Sequence, residues 1–146
     1  MPLVDSFMED ERVHRQNLAD AINSISADYK VDNFTRDVST ASGTQTITGL
    51  GFTPKAIIFF AAIPFTNYMS IGCWGRNGSG CVLDNHASIA DTYLTNNTSF
   101  IFLRQSATPD DAIGAPGTFD AEGFTISWTK VGSPTGTAAI TYMAIR

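Results

Sequence analysis

The chain has 146 residues, 43% of them hydrophobic and only 16% charged, with fourteen Asp and Glu against nine Lys and Arg and a net charge of −5. That length holds one domain with a real core and excludes two, and nine dispersed bases exclude the patch that nucleic-acid binding by counterion release requires. No run approaches 18 apolar residues, and Met1 to Asp10 has neither a basic nor an apolar segment, so neither a membrane span nor a cleaved secretory leader is expected.

Charge is unevenly spread. Residues 1–32 hold seven acids and three bases, whereas residues 33–146 hold seven acids and six bases and are rich in Gly and Thr. The chain therefore divides into an N-terminal arm, 1–32, and a β-domain, 33–146. So few charges on a β-rich domain imply that part of its surface is covered in an assembly, because interface cores are depleted of charge.

In the arm, Asp5 or Ser6 is placed to cap a helix over residues 6–27, with Glu9, Asp10 and Glu11 in its first turns, where acids favour the helix dipole. Leu18, Ile22, Ile25 and Tyr29 recur at spacings of four, three and four, one packing stripe. Extended backward the stripe meets Met8, Glu11 and Arg15, so the seam is apolar only in its C-terminal half and too short to hold a coiled coil by itself. The stripe has three candidate partners: the chain's own β-domain, a neighbouring protomer or another protein.

From Val31 the period changes. Phe34 to Val38 and Thr44 to Thr48, separated by Ser42-Gly43, read as short, partly exposed strands. Ala56 to Ile63 is a continuous apolar run bounded by Pro54 and Pro64, expected as a strand buried on both faces. Tyr68 to Trp74 and Gly80 to Leu83 flank an Asn77-Gly78 turn as a hairpin. Cys73 and Cys81 then stand roughly opposite each other, either as a cross-hairpin disulfide or as two reduced, buried small hydrophobes.

Ser88 to Leu94 and Ser99 to Arg104 are further strands, and Gln105 to Gly117, rich in Pro, Asp and Gly, reads as a long functional loop. Glu122-Gly123 is expected to supply a positive-φ reversal into Phe124 to Thr129, whose alternation puts Phe124, Ile126 and Trp128 on one face and three hydroxyls on the other. A last strand runs from Thr137 to Ile145. The expected fold is an all-β, jelly-roll-like sandwich of about eight strands with an N-terminal helical arm.

Reactive chemistry is sparse. Asp84-Asn85-His86 is the one place where an acid and a His adjoin, with no strand-to-helix Ser elbow to supply a nucleophile, and no paired carboxylates have a reason to converge. No His, Cys or carboxylate spacing matches a metal site, so neither enzyme, metal nor cofactor is expected. Sandwich lectins combine exposed aromatics with Asp, Asn and His in end loops. Trp74, Asn77, Asp84, Asn85 and His86 are therefore the candidate glycan-binding set, against the reading of Trp74 and Tyr68 as core aromatics on adjacent strands.

At Gly51-Phe52-Thr53-Pro54-Lys55-Ala56-Ile57-Ile58-Phe59-Phe60, and again at Phe119-Asp120-Ala121-Glu122-Gly123-Phe124, the chain resembles small β-sandwich structural proteins of tailed bacteriophages. In that group a "GF.PK" entry precedes a buried strand and an "FD..GF" turn precedes the penultimate one. The resemblance covers roughly residues 34 to 146. It implies a virion component assembled in the host cytoplasm: a capsid decoration (cement) protein, or alternatively a tail-fibre tip that binds a host-surface glycan. On the first reading the protein is a homotrimer that stabilises the shell. Leu3, Val4, Phe7 and Met8 dock on the major capsid protein, and Leu18, Ile22, Ile25 and Tyr29 pack the helix.

Overall fold

In a computed structural model the described residues are 3–26, 29–64, 68–85, 92–96, 98–105 and 110–146; side chains are described for these except 3–7, 23–26, 68, 81–85 and 92–96. Helix α1 (Leu3–Ser26) is followed by β1 (Tyr29–Asp37), β2 (Gly43–Ile47), β3 (Ala56–Ala62), β4 (Tyr68–Gly75) and β5 (Gly78–Asn85). Then come β6 (Thr92–Asn96), β7 (Ile101–Arg104), β8 (Asp111–Asp120), β9 (Gly123–Val131) and β10 (Thr137–Ile145). A six-stranded large sheet has the order β1-β10-β3-β4-β5-β6, and a four-stranded small sheet the order β2-β9-β8-β7, every pairing antiparallel.

The all-β sandwich with a helical arm is therefore present. The chain changes sheet at β1–β2, β2–β3, β6–β7 and β9–β10. Between these crossings β3 to β6 and β7 to β9 run as meanders, a plainer connectivity than the jelly-roll's repeated crossing.

The core lies between the sheets. Ile57, Phe59 and Ala61 of β3, Trp74 of β4, and Ala138, Ile140, Tyr142 and Ala144 of β10 face Phe124, Ile126 and Trp128 of β9 and Ile101 and Leu103 of β7. At its centre Trp74 stacks on Phe119 and Phe100, at centroid distances of 4.1 and 5.4 Å, and Phe100 stacks in turn on Phe59 at 4.3 Å. Phe124 meets Phe59, Trp74 and Tyr142 edge-on. Each such ring contributes about 1.5–3 kcal/mol by burial alone. The sheets also touch through backbone. A Cβ on Gly72 would stand 1.7 Å from the carbonyl oxygen of Phe100, so only glycine permits the approach.

Several expectations need correction. α1 begins at Leu3, which places Asp5 and Ser6 inside its first turns rather than at its cap, and it ends at Ser26, so that Tyr29 opens β1 opposite Ile145 instead of extending the helix stripe. Residues 29–32, read from sequence as arm, are the first part of β1. The strand of the apolar run is buried on one face only, since Phe60 and Ala62 are exposed and Ile58 is half-buried. The hairpin centres on Arg76-Asn77 between paired Gly75 and Gly78, one residue earlier than an Asn-Gly turn.

The register pairs Cys73 with Gly80 and Cys81 with Gly72, one step out of opposition, and Cys73 is free and exposed rather than a buried small hydrophobe. Much of the expected long loop is β8, hydrogen-bonded between β7 and β9 with a register shift between Pro116 and Phe119; residues 106–109 fall outside the described set. There the ladder overrides a turn-like composition, and the irregularity accommodates the residue that lacks an N–H. Gly123 has no positive φ; its lack of a side chain is required because a Cβ would stand 1.9 Å from the Ile47 carbonyl oxygen.

Candidate interaction surfaces

The arm presents the first surface. Residues 8–22 of α1 are exposed without exception, with Met8, Leu18 and Ile22 64%, 60% and 58% exposed. Side-chain pairs run along its surface. Arg12 pairs with Glu9 at 2.6 Å and Arg15 with Glu11 at 3.3 Å, while Gln16 donates to Asp20. Exposed pairs of this kind contribute a few tenths of a kcal/mol each. A helix normally gains most of its stability by packing its apolar stripe, and between residues 8 and 22 that stripe is uncovered. Leu3, Val4 and Phe7 lie in its opening turns and Ile25 near its end, all four without described side chains. Among the described residues, the recesses beside α1 are lined by Met8, Glu9, Arg12, Arg15 and Gln16 in one and by Asp10, Glu11, His14 and Arg15 in the other.

The outer face of the large sheet is the second surface, and sequence reading missed it. Strand pairing aligns Tyr29, Ile145, Ala56, Gly75 and Gly78 in one cross-strand row. The next two rows run Val31, Met143, Ile58, Cys73, Gly80, Asn96 and Asn33, Thr141, Phe60, Ile71, Val82, Leu94. None of these residues is charged. Tyr29, Val31, Phe60, Met69 and Ile71 are 41–57% exposed. Charge enters only in the rows beyond, at Asp84 opposite Met69 and at Asp37 at the end of β1. The signal was parity: Met69, Ile71 and Cys73 alternate with Ser70, Gly72 and Trp74, so a buried Trp74 obliges the other three to face outward.

The third surface, the outer face of the small sheet, is hydroxyl-lined over β2 and β9, while over β7 and β8 it carries the half-buried Phe102, Ile113 and Ala115. Thr46 and Thr125 lie 3.3 Å apart through their hydroxyls, and Asp120 accepts from Thr118 at 3.0 Å and Thr125 at 3.2 Å. At its far side Arg104 holds Asp111 through two hydrogen bonds, Nε to Oδ1 at 3.0 Å and Nη2 to Oδ2 at 3.2 Å, with Asp111 only 3% exposed. A two-pronged, largely desolvated pair of this kind fixes the β7–β8 register more firmly than an exposed one. Where the two sheets meet, Trp128 Nε1 donates to Gln45 Oε1, Gln45 Nε2 donates to the Thr35 carbonyl, and the Arg36 guanidinium lies 5.3 Å above the Trp128 ring. Burial lowers the pKa of Arg36. Hydrogen bonds from Ser39 hold the Asp37 carboxyl below its ordinary value, and the N–H of Asn33 does the same for Asp32.

The candidate glycan set does not gather into one described site. Trp74 is 6% exposed and stacked in the core, closed to a sugar, and Tyr68 opens the same strand rather than an adjacent one. Asn77 sits in the exposed β4–β5 turn, Asp84 and Asn85 end β5 without described side chains, and His86 lies outside the described residues. Among the described residues no cluster of three His, Cys, Asp or Glu can hold a metal ion, and no helix is long and apolar enough to cross a membrane. Compared with family models, curated proteins and solved structures, the chain matches none.

Proposed function

We propose that this protein is a structural component of a virion that acts by binding rather than by chemistry, as a decoration protein on the assembled shell. On this reading the sandwich is the body of a homo-oligomer, the trimer that the sequence resemblance implies, and α1 reaches the major capsid protein with Leu3, Val4, Phe7 and Met8. The observation that carries the proposal is the uncovered arm, a 24-residue amphipathic helix exposed throughout residues 8–22. Such an arm, bound selectively to the closed lattice, stabilises that lattice by mass action.

The test is co-sedimentation with shells of the particle whose genome encodes the chain. Removal of residues 1–26, a cut that leaves β1 intact, is expected to abolish binding while the sandwich keeps its β circular dichroism. L18D/I22D in the full chain is expected to weaken binding. Undiminished binding of either variant overturns the assignment.

A further inference from the structure

The outer face of the large sheet needs an occupant, and charge selects one. Its three uncharged rows offer no counter-ion to a basic or acidic partner, and burying an unpaired charge against them is unfavourable. The arm of a neighbouring copy is excluded on the same ground. Its stripe carries Glu11 and Arg15 between Met8 and Leu18, and laying it across the sheet would bury both away from water. A surface that brings no charge, matches the pleat and is present on every molecule is the face itself.

We infer that the outer face of the large sheet is a self-association surface, covered by a second copy of this chain. The face alternates large side chains, Tyr29, Val31, Phe60 and Ile71, with small ones, Ala56, Ala62 and Ala139, a relief of ridges and hollows that a like face can fill. With the flanking row of Thr35, Ala139, Ala62 and Met69 added, whose one charge is Asp84 at the rim, six strands at about 4.8 Å and four rows at about 3.3 Å per residue span roughly 24 by 20 Å, about 500 Å² in plan, of which the three uncharged rows make about 300 Å². With side-chain relief the whole approaches the ~800 Å² each partner gives to a stable interface, and it lies at the upper end of the roughly 300–600 Å² patch an ordinary monomer exposes. Long-range repulsion is slight, since residues 33–146 carry seven acids and six bases. The contact is independent of what the arm binds.

The experiment is light-scattering mass of the full chain at micromolar concentration, with alkylation of Cys73 followed by peptide mass spectrometry, because Cys73 lies on this face and is free. A like face laid on a like face is a two-fold contact, so the expected mass is an even multiple of the 15.7 kDa of one chain, twice for this contact alone. The expected alkylation is about fivefold slower than in a monomeric variant, the fraction of uncovered faces in a dimer at a chain concentration roughly ten times the dissociation constant. F60D is expected to give a folded monomer with fast Cys73 alkylation. T141R, which adds bulk and charge at an exposed polar position between Asn33 and Phe60, is expected to do the same without removing an apolar side chain. A monomeric wild type, or oligomers in which F60D and T141R change neither mass nor alkylation, overturns the inference. So does loss of the oligomer in L18D/I22D alone, which would assign self-association to the arm.

Discussion

The large sheet turns Ile58, Phe60, Ile71 and Met143 outward with no charge among them; the small sheet turns out Thr44, Thr46, Thr125, Ser127 and the Arg104–Asp111 pair, with Phe102 and Ile113 only half-buried beside that pair. Both sheets present their other side to the same aromatic core. Outer faces are free to differ because folding specifies only the inner ones, so the difference between them reflects what each meets after folding. A hydroxyl-lined face is satisfied by water, whereas an apolar, uncharged one gains by leaving it.

The comparison breaks first where the two sheets meet. Gly72→Ala puts a methyl into the Phe100 carbonyl, and a loss of about 3 kcal/mol or more is expected in chemical denaturation, a large share of a typical domain's stability. Neighbours in sequence sharpen it next. Phe59→Ala should cost about 3–5 kcal/mol, while Phe60→Ala, measured in a monomeric T141R background, should stay within about 0.5 kcal/mol. Equal costs would mean that the two sides of β3 are not different environments.

On the small sheet, Asp111→Ala leaves the Arg104 guanidinium without its carboxylate, with an expected loss of about 1.5–3 kcal/mol. The smallest effect is in pH. Burial raises the Tyr142 phenol above its ordinary 10.0, so the folded state holds that proton more tightly than the unfolded state does. This contribution is whole below pH 10.0 and is lost as pH climbs through the raised value; Tyr142→Phe should flatten that alkaline decline in thermal stability. The Asp37 carboxyl acts in the opposite direction. Held low by Ser39, it stabilises above its unfolded pKa and ceases to as acid protonates it, so Asp37→Asn should shallow the acid limb.

Periodicity made much of this legible. The alternation of Phe124, Ile126 and Trp128 was readable as one buried face, and all three are in the core. The span of β3 was equally plain, but an unbroken apolar run cannot state how many of its faces meet another layer; Phe60 is apolar for a reason outside the fold. Pro, Asp and Gly between 105 and 117 resembled a loop because composition records local preference, while β8 is held by ladders to both of its neighbours, β7 and β9. Trp74 looked available for ligand stacking because an aromatic has the same letter on either face of a strand. The helix was evident from its spacing, but the end of its stripe at Tyr29 was not, since that residue's partner, Ile145, is 116 positions away.

The placing of β10 between β1 and β3 has a consequence for biosynthesis. Until residues 137–145 have been made, Ile57 and Phe59 have no neighbour on that side and Phe34 no partner across the strand. A nascent chain therefore carries its most apolar strand paired on the β4 side alone until β10 is made, in a topology whose long-range closures are slow to form. Aggregation of truncated products and a need for holding chaperones are the expected cost of a sheet that closes with its last strand.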